Sequence, residues 1–229
     1  MNEIFVKQGI KLSEEKQKKF AVFCETLKEY NSKFNLTSIK DDEGIYEKHF
    51  ADSLKGEEFF PFGTSVMEIG SGGGFPSVPM KIAREDLKFT LLEATGKKCE
   101  YLKIVGEKLG FENYEVINGR AEELGKNEKY REKFDVVTAR AVASLNVLCE
   151  YSLPFLKEGG IFVAYKGDAD EEIKTASNAI EVLGGKIETV KKFVLSESSG
   201  IRNIVVIKKV KKTPEEYPRS NGAIKKKPL

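Results

Sequence analysis

The chain holds no tryptophan, one histidine, three cysteines and seven prolines in 229 residues. With His49 alone and Cys24, Cys99 and Cys149 far apart, no paired-ligand spacing exists, which argues against a zinc site. The cysteines are odd in number and lie in apolar helical contexts, so they read as reduced core residues. No stretch approaches the roughly 18 to 20 apolar residues of a membrane span. Met1 to Gly9 carries neither a long apolar run nor a small-residue cleavage site. Internal repeats are also missing. These absences lead to the expectation of a soluble, cytoplasmic protein with no metal and no membrane association.

A hydrophobic content of 40% is enough to bury a core. The length fits one ordinary domain with a small appendage at either end. The net charge of +2 says little as a total, but its distribution is uneven. From Lys208 to Leu229, eight basic residues face only Glu215 and Glu216, so this segment carries +6 and the rest of the chain −4. A mildly acidic body with a basic end suits contact with a polyanion. Charge alone leaves a merely solvated tail equally open.

Residues 1–63 read as a helical extension. Ser13 is placed to cap a helix whose apolar positions Phe20, Phe23, Cys24, Leu27, Tyr30 and Phe34 recur at spacings of three and four. A second amphipathic stretch runs from about Gly44 to Leu54, and 56–63 reads as a linker. From Ser65 strands alternate with helices: strands at 66–69, 88–92, 114–117, 134–138 and 160–165, helices near 75–84, 96–109, 145–155 and 170–183. Such βα units predict a mostly parallel sheet covered on both faces. The runs 186–195 and 203–210 are joined by too few residues for a crossover helix, so they predict an antiparallel hairpin. A parallel sheet ending in a hairpin is the pattern of a Rossmann-like α/β class I methyltransferase. The expected division is 1–63 helical extension, 64–210 catalytic domain with a seven-stranded sheet, and 211–229 basic tail.

Glu68-Ile69-Gly70-Ser71-Gly72-Gly73-Gly74 is the most informative segment. Gly70, Gly72 and Gly74 after a strand let the backbone turn tightly and approach a ligand, and the following helix adds free N–H groups. A G-x-G pattern alone is weak evidence, because nucleotide enzymes of many chemistries use it. Two details sharpen it. The third glycine of a dinucleotide fingerprint would fall at position 75, where Phe75 stands, and this argues against an NAD-dependent oxidoreductase. The spacing E-x-G-x-G-x-G is similar to the first motif of S-adenosylmethionine enzymes, with Glu68 placed to face a sulfonium amino acid. Glu93, ending the next strand, is placed to accept from a ribose diol. Ala121 and Glu122, after the third strand, lie where a backbone N–H and a carboxylate can read a purine edge. Arg140 follows the fourth strand at the ligand-binding edge. A glycine turn that only packs helix on strand is the alternative for the loop and Glu93, a favourable helix start for Glu122, and an ordinary surface arginine for Arg140.

With these residues in place, the chain resembles the bacterial 16S ribosomal RNA guanine-N7 methyltransferases (RsmG, formerly GidB) over nearly its whole length. The resemblance rests on Asn35-Leu36-Thr37, His49-Phe50-Ala51-Asp52-Ser53-Leu54, residues 70–79, Gly119-Arg120-Ala121-Glu122, residues 134–145, Lys166-Gly167, Arg202 and the ending Lys226-Lys227-Pro228-Leu229. H-x-x-D-S-L before the loop, R-A-x-A-S-L after the fourth strand and the K-K-P-L end are more specific than the loop itself. The resemblance implies methyl transfer from S-adenosylmethionine to guanine N7 in small-subunit ribosomal RNA. It also implies cofactor contacts at Gly70, Phe75, Ala121, Glu122 and Arg140. The chain departs from the family pattern at Ser220, Ala223-Ile224, Ser77 and Tyr165, and in its Ser198-Ser199-Gly200 turn.

Guanine N7 has a lone pair and no proton, so no general base is needed and no catalytic residue is assigned. Arg140, Lys166 and Arg202 read as contacts to RNA phosphate or cofactor carboxylate. His49 reads as a packed residue bonded to a neighbour such as Asp52. Phe75, Tyr151 and Tyr165 are candidates for stacking a flipped guanine, with core packing as the default. Arg219, Lys226 and Lys227 belong to a tail that adds phosphate contacts. Cutting after Val210 is then expected to weaken RNA binding and leave cofactor affinity little changed. The partner is 16S RNA or the small subunit, and the expected state is a monomer. Two alternatives stay open: a class I methyltransferase acting on another RNA, a protein or a small molecule, and a non-catalytic RNA-binding protein.

Overall fold

Short apolar runs with β-branched residues form the centre of the molecule, because a parallel strand is buried on both faces. The computed structural model describes residues 2–196 and 200–229. The strands are β1 (Ser65–Ile69), β2 (Lys88–Glu93), β3 (Tyr114–Asn118), β4 (Phe134–Arg140), β5 (Leu156–Lys166), β6 (Gly185–Val194) and β7 (Ile201–Lys209). They form one sheet of order β3-β2-β1-β4-β5-β7-β6. The first five pair in parallel, and β7 runs antiparallel to both β5 and β6. This is the expected parallel sheet with a terminal antiparallel hairpin. Of the Ser198-Ser199-Gly200 turn, Ser198 and Ser199 lie outside the described residues.

Side chains alternate across the sheet, and the two faces bury separate cores. Val66, Val136, Val163 and Val206 face one, while Met67, Val137, Phe162 and Val205 face the other. In chain order the helices are α1 (Asn2–Lys7), α2 (Glu14–Phe34), α3 (Asp42–Ile45), α4 (Asp52–Leu54), α5 (Ser77–Ala83), α6 (Gly96–Leu109), α7 (Ala121–Leu124), α8 (Leu145–Ser152), α9 (Asp170–Thr175), α10 (Ser177–Val182) and α11 (Asn221–Lys226). The first core is closed by α1, α2, α5 and α6 through Phe5, Phe20, Phe23, Val78, Met80 and Leu102. The second is closed by α8 and α10 through Leu148, Ala179 and Ile180.

Ser13 caps α2 as its position predicts, its hydroxyl accepting from the Lys16 N–H. The stretch expected at 44–54 is helical throughout, but its middle, Tyr46–Ala51, is a π-helical turn between α3 and α4. Such turns recur at functional sites because they re-aim side chains; this one carries His49 and ends beside Asp52. The helix expected at 170–183 is broken at Ala176 into α9 and α10.

Residues 211–229 do not hang free. Thr213, Pro218 and Ile224 are buried. The Arg131 guanidinium donates to the carbonyls of Thr213, Pro214 and Tyr217 at 2.7–3.1 Å, binding the segment to the body. Lys209, counted above with the basic end, is fully buried and donates to the Leu153 carbonyl at 2.7 Å. Burial pushes its amine down to about 8.

Ligands of open α/β sheets bind beyond the carboxyl ends of the strands. Here that edge carries Gly70 after β1, Glu93 on β2, Gly119 after β3, Arg140 on β4 and Lys166 on β5. Because β7 is antiparallel, its beginning joins the same edge, with Asn203 opposite Lys166.

Candidate cofactor and substrate clefts

The glycine loop leaves β1 at Gly70, whose φ of +68° suits glycine, and a Cβ there would lie 2.8 Å from Val142 Cγ2. The loop is tied to the neighbouring strand by Gly70 N–H on the Leu92 carbonyl and Gly72 N–H on Glu93 Oε2, at 2.8 and 2.9 Å. Glu93 Oε1 accepts from the Thr95 N–H at 2.8 Å, so this carboxylate joins the two turns. Glu68 lies beneath the loop, fully buried, and lines neither of the two clefts described below. Its oxygens accept from the Ser77 hydroxyl and N–H. Burial raises its carboxyl to about 7 against those hydrogen bonds. Ser77, one of the departures noted above, is thus the residue that satisfies Glu68.

Two clefts open along the carboxyl edge. The smaller, about 190 Å³, lies over Gly70, with Ile69, Leu92, Ala121 and Val142 as apolar walls and Glu122 and Arg120 contributing polar groups. Tyr151, Asn221 and Lys225 also line it. The Tyr151 hydroxyl donates to Asn221 Oδ1 at 2.7 Å, so α11 forms part of this cleft. The larger, about 380 Å³, lies over β4, β5 and β7 and is lined by Lys48, His49, Asp52, Arg140, Lys166, Arg202 and Asn203 among others. The segment 141–143 divides them. Ala141 faces the larger and Val142 and Ala143 the smaller, and Ala141 holds a left-handed φ of +56°.

Arg140 organises the boundary. Its guanidinium donates to Asp52 Oδ2 at 2.6 Å, the Lys48 carbonyl at 3.2 Å and His49 Nδ1 at 2.7 Å. It also lies 4.9 Å over the Phe75 ring, a cation–π contact. His49 stacks on Phe75 at 4.3 Å, and its Nε2 is 2.7 Å from Thr37 Oγ1. Burial, and then the Arg140 charge, lower the imidazole to about 3. His49 is therefore neutral at physiological pH, with Nδ1 accepting from Arg140 and the proton on Nε2. The packed reading of His49 holds, but its partners are Arg140 and Thr37, while Asp52 pairs with Arg140.

The remaining predicted cations differ in availability. Lys166 Nζ is 2.7 Å from Glu172 and 2.8 Å from the Ala143 carbonyl, which holds the dividing segment. Arg202 is partly exposed, its Nε 3.9 Å from Asp52 Oδ1. Arg219 is committed to Glu150, a fully buried carboxylate, at 2.6 Å. Lys226 and Lys227 are exposed. Sequence reasoning missed Asn221, Lys225 and Asn203 as cleft residues. Asn221 and Lys225 sit in a segment read only for its charge, and Asn203 reaches the edge only through the reversed direction of β7.

The family model described as rRNA small subunit methyltransferase G, or GidB, matches residues 16–205. The chain belongs to this family. Among its relatives, the ribosomal RNA small subunit methyltransferase G of Brevibacillus brevis is 46% identical, covering 99% of this chain and 97% of its own. The enzyme of that name from Clostridium novyi is 46% identical over 96% of this chain and 92% of its own. Similar solved folds include a Geobacter metallireducens precorrin-6y C5,15-methyltransferase, with TM-score 0.51, 15% identity and 69% and 86% of the two chains covered. The M. jannaschii TYW2 complex with AdoMet has TM-score 0.53, 15% identity and 74% and 77% coverage. These last two show the class I methyltransferase fold. The family uses S-adenosylmethionine, and the smaller cleft fits that group. A glycine loop that excludes Cβ atoms, apolar walls for a flat ring and a polar rim match a nucleoside bearing an amino-acid arm.

Proposed function

We propose that this protein transfers a methyl group from S-adenosylmethionine to N7 of a guanine in 16S ribosomal RNA of the small subunit, as a cytoplasmic monomer. The observation that carries the reading is the adjacency of the two clefts: a glycine-walled nucleoside cleft and a larger polar one share the segment 141–143. The full-length relatives are ribosomal RNA small subunit methyltransferases by name, which supplies the substrate class.

In this reading Gly70, Gly72 and Gly74 let the backbone approach the cofactor, with Phe75 and Arg140 bounding its reactive end. Ala121 and Glu122 take the adenine edge, and Glu93 the ribose. Glu68 acts from beneath by bracing the loop through Ser77. S-adenosylmethionine, when bound, supplies a methyl group on a positively charged sulfur. N7 carries an in-plane lone pair and no proton, so the protein has no proton to remove. Both ring nitrogens of His49 are engaged, which suits a positioning role. Holding the base against the methyl group is worth about 7 to 11 kcal/mol when geometry is near attack. Arg202, Lys226 and Lys227 serve RNA phosphates, whereas Arg219 anchors the tail.

The direct test is tritium transfer from labelled S-adenosylmethionine to small subunits and to their naked RNA, followed by nucleoside analysis. Label in 7-methylguanosine is expected. Cofactor binding by calorimetry with no labelled RNA would leave a methyltransferase and remove this substrate.

A further inference from the structure

The larger cleft is lined by two buried side chains that each carry an acceptor receiving no hydrogen bond from the described residues. Asp52 is 5% exposed and Asn203 1% exposed, and both line the cleft. Asp52 Oδ2 takes the Arg140 guanidinium, whereas Oδ1 has no hydrogen-bond partner among the described residues and faces only the Arg202 Nε, 3.9 Å away. Asn203 Nδ2 donates to the Gly167 carbonyl at 2.6 Å, which fixes the amide's orientation and leaves Oδ1 without a partner as well. Buried polar atoms are nearly always paired, so one orphaned oxygen and one held only by a long ion pair, both on residues lining one cleft, leave room for donors from outside the chain.

We infer that Asp52 and Asn203 read the Watson–Crick edge of the target guanine, Asn203 taking the 2-amino group and Asp52 the N1–H; this rests on the guanine reading above. Among the four bases, only guanine presents two adjacent donors on that edge. An enzyme acting on a base takes it out of the stack and reads this edge. The order of the sheet supplies the orientation. Gly70 stands at β1, Arg140 at β4, and Asn203 two strands further on at β7. A guanine whose N7 points toward β1 directs its 2-amino group, the far end of the edge, toward β7. N1–H then falls near Asp52, beside Arg140. O6, next to N7, comes toward Arg140, which donates only three of the five hydrogens a guanidinium carries.

The same contacts act on the rate. As N7 gains a methyl group the purine becomes positively charged, and its N1–H and 2-amino hydrogens become stronger donors. A carboxylate and an amide oxygen aimed at them hold the transition state more tightly than the starting base. Asp52 also offsets the Arg140 charge near a base that turns cationic, since the two are ion-paired at 2.6 Å. Asn203 and Asp52 are thus specificity-determining residues.

The test uses full-length protein and small-subunit RNA in which the methylated guanosine is replaced by inosine, which lacks only the 2-amino group. Wild-type protein is expected to methylate the inosine RNA at least tenfold more slowly. Asn203→Ala is expected to bring the guanosine-to-inosine rate ratio down to about one, with cofactor affinity retained. A purely structural defect lowers both rates by one factor, so the guanosine-to-inosine ratio reads the contact even in a less stable variant. Asp52→Asn provides a second variant, expected to slow both RNAs through the N1–H. Equal wild-type rates on the two RNAs, or an unchanged ratio in Asn203→Ala, would overturn the assignment while 7-methylguanosine formation still stood. Absence of 7-methylguanosine in the wild-type reaction would overturn the guanine reading itself.

Discussion

Two buried titratable side chains near the glycine loop pull the protein's pH response in opposite directions. His49 is lowered from 6.5 to about 3. Between those values the unfolded chain binds a proton that the folded chain refuses. The stability this residue contributes is complete above 6.5 and is lost as pH falls toward 3. Glu68 is raised from 4.5 to about 7. In that window the folded carboxyl keeps a proton that the unfolded chain has released. Its contribution is complete below 4.5 and is lost as pH rises toward 7. Each group alone changes the folding equilibrium by up to about tenfold per pH unit. His49→Gln should therefore remove part of the acid-side loss, and Glu68→Gln part of the loss toward neutrality. Urea unfolding across the acid to neutral range would show this, and unchanged pH slopes in both variants would contradict the assigned environments. Neither shift was legible in the chain: a glutamate at a strand end suggests a ligand contact, and only the buried hydroxyl of Ser77 reveals a brace.

The C-terminal segment shows how an element acquires a second role. Its lysines suggest an RNA-binding tail, yet α11 is docked by Arg219 on Glu150 and by Tyr151 on Asn221, and it lines the smaller cleft. Truncation after Val210 should consequently weaken cofactor binding, contrary to the expectation from charge alone. Such a cut also removes the buried Ile224 and Thr213 and uncovers the core and the Lys209 amine they pack against, so point variants separate the effects. Asn221→Ala and Lys225→Ala should each lower S-adenosylmethionine affinity about 2- to 10-fold, the worth of one polar contact. Lys226→Ala, on the same helix outside the cleft, should leave that affinity alone and reduce the salt slope of RNA binding by about one. Calorimetry and salt-dependent RNA binding distinguish these outcomes. Equal cofactor affinity in all three variants would remove α11 from the cofactor site.

At the scale of the whole molecule, the division at residue 63 is one of sequence pattern. Phe5, Phe20, Phe23 and Phe50 from the helical extension share one core with Val66, Phe75 and Phe89 from the sheet domain. Thr37, His49 and Asp52 from the extension also build the boundary around Arg140. A shared apolar core makes the two parts one cooperative unit. A single calorimetric transition is therefore expected, with cofactor shifting it as a whole. A separate early transition of the extension, or proteolytic release of a stable fragment beginning near residue 64, would contradict this.

The seven strands, the helix over 96–109, the Ser13 cap and the glycine loop were all legible from local pattern, because period, capping chemistry and glycine spacing act over a few neighbouring residues. Family motifs extended that reading to cofactor and substrate class. Asp52 and Asn203, however, are 151 positions apart in a chain of 229 residues, and nothing local marks them as neighbours of one cleft. The π-helical turn that ends beside Asp52, the reversed β7 that starts at the ligand edge, and the docking of α11 come from long-range packing. Burial then decided the charge state of His49, the partner of Glu68 and the engagement of Arg219, since each depends on which distant groups exclude water from it.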